Sequence, residues 1–79
     1  MKDLLLYLVS SLVDHPADVR IDEKAEQGIV VLSLSVNPAD MGKVIGKGGK
    51  IIKALRNIIK ILAVKEDKKF ELVLEEVAS

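Results

Sequence analysis

The sequence predicts an α+β fold in the order α-β-β-α-α-β, with helices on one face of a three-stranded sheet. Three observations predict it. Apolar residues recur at helical spacing near the start of the chain and again over 49–65. Between those stretches, two runs alternate with a period of two and are separated by Gln27-Gly28. A last alternating run, 70–77, follows the charged turn Glu66-Asp67-Lys68-Lys69.

Each element has a local cause. Residues 2–14 place Leu5, Leu8, Val9 and Leu12 on one helical stripe, and leave Leu4, Leu6, Tyr7 and Val13 off it. His15-Pro16 ends that helix, because a residue before proline avoids the α region. Residues 18–24 read as a strand, with Val19 and Ile21 set against Arg20 and Asp22. Residues 29–36 read as a second, with Val30, Leu32, Leu34 and Val36 on one face and Ser33 and Ser35 on the other. Asn37-Pro38-Ala39-Asp40 is a helix start: Asn as N-cap, Pro in the first turn, then an acid. A short helix is expected from Pro38 to about Ile45. A longer one should run from about Gly49 to Lys65 and bury Ile51, Ile52, Leu55, Ile58, Ile59 and Leu62. The last strand should turn Phe70, Leu72 and Leu74 inward. The first two strands should form an antiparallel hairpin, and the two-helix crossover favours a parallel third strand beside the second. Arg20, Asp22, Glu71, Glu75 and the serines then fall on the solvated sheet face.

Between the two later helices lies Gly46-Lys47-Gly48-Gly49. Glycines allow positive φ and close backbone approach to a ligand. Lysine adds positive charge, and a fresh helix N-terminus adds unpaired N–H groups and the positive dipole end. Such a loop suits a phosphate chain. It is not a nucleotide P-loop, because Gly42 and Gly46 have three residues between them instead of four, and Gly48 follows Lys47 where Ser or Thr is required. It is not a dinucleotide fingerprint either, since Ile51 occupies the third glycine position and no strand precedes the loop. Three glycines and a lysine in four residues also exceed what a tight turn between helices needs.

Val44-Ile45-Gly46-x-x-Gly49-x-x-Ile52 with Leu55 resembles the KH signature. The run Asp40-Met41-Gly42-Lys43-Val44-Ile45-Gly46-Lys47 resembles the small stand-alone bacterial KH proteins of the KhpA (YlqC) type. The resemblance extends over nearly the whole chain. It implies a type II KH-like fold over residues 1–79 as one domain, and a loop that holds a short run of single-stranded RNA backbone. It further implies an RNA chaperone or post-transcriptional regulator acting beside a larger KH-containing partner. The groove it implies would lie between the loop and the exposed edge of the second strand, floored by Val44, Ile45 and Ile52.

Composition sets independent bounds. The chain has 79 residues, 49% of them hydrophobic, which suits one domain with a modest core. It has no cysteine, so neither a disulfide framework nor a thiolate metal site is expected. The apolar run Leu4–Val13 is too short to cross a bilayer and lacks the flanks of a signal peptide, so a cytoplasmic protein with no membrane partner is expected. The net charge of zero conceals segregation. Residues 41–65 carry seven basic side chains and no acid. The remaining fifty-four residues hold five basic and twelve acidic groups, a balance of −7. Such a chain is dipolar and should turn its basic side to a polyanion.

The candidate RNA-binding residues are Lys43, Gly46, Lys47, Gly48, Gly49, Lys50 and Lys53. Lys53, Arg56 and Lys60 fall opposite the apolar stripe, where a solvated helix face and RNA contact fit the spacing equally. His15, beside Pro16 and without Cys or His partners, reads as a surface loop residue. Asp22-Glu23 and Glu75-Glu76 alternate across strand faces, and no nucleophile–base pair is recognisable, so neither catalysis nor a cofactor is expected. Tyr7 and Phe70 are the only aromatics, too few for the stacking platforms of RRM or OB binders. A second reading makes the fold a protein-interaction scaffold. Ile61 and Val64 lie off the stripe of the long helix, as do several residues of the first, and a homodimer with Ile61 at or near the contact would cover them.

Overall fold

A computed structural model describes residues 2–75. Helix α1 spans Lys2–Ser10, strands β1 and β2 span Arg20–Glu26 and Ile29–Ser35, helices α2 and α3 span Met41–Ile45 and Lys50–Lys65, and strand β3 spans Lys69–Glu75. Short 3₁₀ turns at Pro16–Asp18, Pro38–Asp40 and Lys47–Gly49 join them. The order α-β-β-α-α-β is as the sequence predicts.

The sheet order is β1-β2-β3. β1 and β2 are antiparallel, with Glu26 opposite Ile29 at the hairpin end. Gln27 and Gly28 both take positive φ, 50° and 80°, as a two-residue hairpin turn of right-handed twist requires. β2 and β3 are parallel, with Leu32 beside Leu72. The inward residues Ile21, Leu32, Leu34, Val36 and Leu72 meet Leu5 and Val9 of α1, Val44 of α2, and Ile52, Leu55 and Ile59 of α3. Arg20, Asp22, Glu71 and Glu75 are exposed as expected, while Ser33 and Ser35 on the central strand are half-buried.

Several boundaries and faces differ from expectation. α1 ends at Ser10 instead of continuing to 14. The Leu12 amide reaches back only three residues, to Val9 O at 2.9 Å, so the helix tightens and the chain leaves its axis. Leu12 is therefore exposed, and Val13 packs on the core instead. β1 begins at Arg20, because Pro16–Asp18 closes a 3₁₀ turn in which the Val19 amide bonds Pro16 O. The helix expected over 38–45 is two pieces, a 3₁₀ turn followed by α2. Its cap is as read: Asn37 accepts a hydrogen bond from the Ala39 amide at 2.9 Å. On α3, Ile58 is exposed and Leu62 half-buried, while Ala63 is buried. The sheet lies under the Ile52, Leu55, Ile59 and Ala63 side of the helix, so a small residue meets the strands and Ile58 lies at the margin. The described part of β3 ends at Glu75, and the expected strand positions 76 and 77 lie outside the described residues.

One buried charge was not singled out in the sequence. Asp40 is 1% exposed. Its carboxylate accepts the backbone N–H groups of Asp14 at 3.2 Å and His15 at 3.0 Å. It ties the segment after α1 to the segment that leads into α2. Asn37 adds an outer tie, donating from Nδ2 to Asp18 at 2.9 Å. The approach to the glycine loop is thus braced from behind by the connection between α1 and β1.

Candidate functional site

The glycine loop turns the chain from α2 into α3. The Gly46 amide closes α2 on Gly42 O at 2.9 Å, and the Gly49 amide reaches Gly46 O at 3.3 Å. Gly46 sits at φ 74°, ψ 176°, a region essentially closed to residues with a Cβ. A Cβ there would also lie 2.7 Å from Cγ1 of Ile51. Ile51 therefore packs across Gly46 and fixes the loop against α3. Gly46→Ala should lower stability by about 2–3 kcal/mol, from the closed backbone region and the clash together. Urea unfolding checks this, and an unchanged midpoint would mean that Ile51 does not hold the loop.

Gly48 and Gly49 also take positive φ, 63° and 75°. A Cβ on Gly48 would meet nothing within 4 Å, so this side of the loop is open. The N-cap of α3 is Gly49, which has no side chain to bond the first amides of that helix. The positive end of the 16-residue α3 thus begins at the loop itself, directly after Gly49. Lys47, Lys50 and Lys53 make no ion pair with the described residues. Lys43 does: its ammonium pairs with Asp14. That hydrogen bond, and then the lysine charge, hold the Asp14 carboxyl below the usual carboxylate range. An anion approaching Lys43 would compete with Asp14, whereas Lys47 and Lys50 have no such ion-pair partner among the described residues.

The groove is not where the sequence reading put it. β2 is the central strand, paired on both sides, and has no exposed edge. The free edge on the α3 side belongs to β3. A cleft of about 640 Å³ opens there between α3 and β3, with Ile59, Ala63, Phe70 and Leu72 as apolar lining and Arg56 and Lys60 at its side. Val44 is fully buried and Ile52 nearly so, Ile45 is 37% exposed, and none of the three lines this cleft. Arg56 and Lys60, placed opposite the buried stripe by spacing alone, flank it and face the cleft. Arg56 Nε donates to Leu72 O at 3.4 Å, across the free edge of β3. One of the two scarce aromatics, Phe70, lies in the same cleft. The structure thus brings together Gly46, Lys47, Gly48, Gly49, Lys50 and Lys53 on one surface leading toward Arg56. No local pattern marks Phe70 or Leu72 as part of the cleft, because the cleft depends on which strand is at the edge.

Among the described residues no group of three or more His, Cys, Asp or Glu side chains could hold a metal ion. No helix among them is long and apolar enough to cross a membrane.

Three helices on one face of a β1-β2-β3 sheet, with an open glycine loop between the second and third, define a KH domain of the type II order. The family model described as "KhpA/KhpB, KH domain" matches residues 2–74, and the chain belongs to that family. It is 49% identical over 69 residues to the RNA-binding protein KhpA of Clostridium perfringens, covering 87% of this chain and 92% of the relative. It is 43% identical over 76 residues to RNA-binding protein KhpA of Listeria monocytogenes, covering 96% and 100%. The Bacillus subtilis protein of that name is 39% identical over 71 residues, covering 90% and 88%.

Proposed function

We propose that this chain binds short single-stranded RNA without chemical reaction, as an RNA chaperone or post-transcriptional regulator in the cytoplasm. The open Gly46–Gly49 loop at the start of α3 carries this reading. Its backbone and Lys47 would hold phosphates, with Lys50 and Lys53 following along the helix. The bases would turn into the α3–β3 cleft. The name of the KhpA relatives, RNA-binding protein, supports the RNA-binding part of this reading. Three phosphate contacts give an expected slope of roughly −2 for log affinity against log salt on a single strand. Filter binding across a salt series measures it, and a slope near zero would remove the loop from the binding surface. Duplex RNA should compete poorly, because the cleft takes splayed bases.

Residues 1–79 would act as a single domain that self-associates. Ile61 is 63% and Val64 76% exposed on α3, and Val64 also borders the α3–β3 cleft. Leu4, Leu6 and Tyr7 of α1 are also exposed. Covering such residues returns about 25 cal/mol per Å². A two-fold homodimer with Ile61 at or near the contact satisfies this, and a larger KH-containing protein could take the same surface. The family description names KhpA and KhpB together, which is compatible with such a partner. Ile61→Lys should shift sedimentation toward monomer with the circular dichroism unchanged. A parent protein that is monomeric at high concentration would contradict the dimer.

A further inference from the structure

We propose that Arg56 is the base-selecting residue of the cleft, favouring a nucleotide with two adjacent hydrogen-bond acceptors on one edge. This rests on the RNA-binding reading above and names the bases that the site prefers.

Guanidinium is a rigid planar fork with five N–H donors and no acceptor. The Nε–H of Arg56 is spent on Leu72 O at 3.4 Å. That bond ties the fork to the free edge of β3, beside the apolar lining formed by Ile59, Ala63 and Phe70. The four Nη donors have no acceptor among the described residues, although Glu71 borders the same cleft. α3 rises about 1.5 Å per residue, so Arg56 stands about 9 Å along the helix from Lys50. A base carried by a backbone held at the loop comes within its reach.

Two parallel N–H donors match two adjacent acceptors. Guanine offers N7 and O6, and the pairing edge of cytosine offers N3 and O2. Adenine sets an acceptor beside an amino donor on each edge, and uracil places its N3–H between its carbonyls. Either would bring a donor against a donor. Lysine, a point charge without a fork, could hold a phosphate at this position but not read such an edge. Base selectivity therefore separates this role from a general basic contact.

The test is fluorescence anisotropy on the full chain with labelled rUUUXUUU, X being C, G, A or U. Oligomers with C or G should bind at least about fivefold tighter than those with A or U, the lower range for one bidentate pair. Arg56→Lys should bring all four within about twofold of one another, with the salt slope unchanged. Replacing G by 7-deazaguanine separates the two acceptor edges: loss of the G preference identifies N7 and O6 as the pair read, and a surviving preference for C identifies N3 and O2. A parent protein that binds all four alike, or an Arg56→Lys protein that keeps the preference, would overturn the proposal. In those cases salt-dependent binding would persist and the RNA-binding reading would stand. Failure of all four oligomers to bind would overturn both.

Discussion

Replacing Lys47 and Gly48 together by aspartate should abolish RNA binding and leave the fold intact. The substitution changes the loop by three charges, from one positive to two negative. At about 1 kcal/mol for each charge close to a phosphate in water, affinity should fall by on the order of 100-fold. The fold should tolerate it because a Cβ on Gly48 meets nothing within 4 Å. Its φ of 63° is a left-handed conformation that aspartate adopts more readily than most residues. Lys47 makes no ion pair with the described residues, so its loss leaves no partner unpaired. Circular dichroism and anisotropy on the same sample check both halves. Parent-like affinity from a folded double variant would mean that the phosphates lie elsewhere.

The second large effect is on stability. Asp40→Ala should cost about 3–5 kcal/mol, because the amides of Asp14 and His15 both lose a charged acceptor at a site 1% exposed. A chain of this length has about 4–12 kcal/mol in total, so the variant should be near unfolding. Asp40→Asn, which keeps one acceptor oxygen, should fall between parent and Ala. Urea titration should show a lowered midpoint at unchanged slope. An Ala variant as stable as the parent would mean that water replaces the carboxylate at no cost.

How far the sequence could be read follows from the range of each interaction. The hairpin was legible because the Gln27-Gly28 turn and the alternation around it are local. The Asn37 cap was legible for the same reason, since its bond to Ala39 spans two residues. The glycine loop was legible because positive φ and backbone approach restrict residue type at fixed spacing. Asp40 was legible as a first-turn acid and as part of the Asp40–Lys47 run, but not as a buried brace, because its partners Asp14 and His15 are about 25 positions away in the chain. Ile58, expected to be buried, is exposed, while Ala63, not singled out, is buried, because hydrophobicity does not tell which side of a broad apolar face meets the sheet. The cleft was misplaced for a related reason. Parallel pairing of β2 with β3 encloses β2 and leaves the edge of β3 exposed, so the groove moves to that edge. Arg56, Phe70 and Leu72 come together only once that edge is known.

The central claim is that RNA backbone lies on the Gly46–Gly49 loop and its bases lie between α3 and β3. Backbone amide chemical shifts during titration with a short single-stranded oligoribonucleotide test it residue by residue. The largest changes should fall on Gly46 to Ile52, with a second set at Arg56, Phe70 and Leu72, and little change at Arg20, Asp22 and Lys24 on the far sheet face. Shifts concentrated on that far face, with the loop unmoved, would contradict the account.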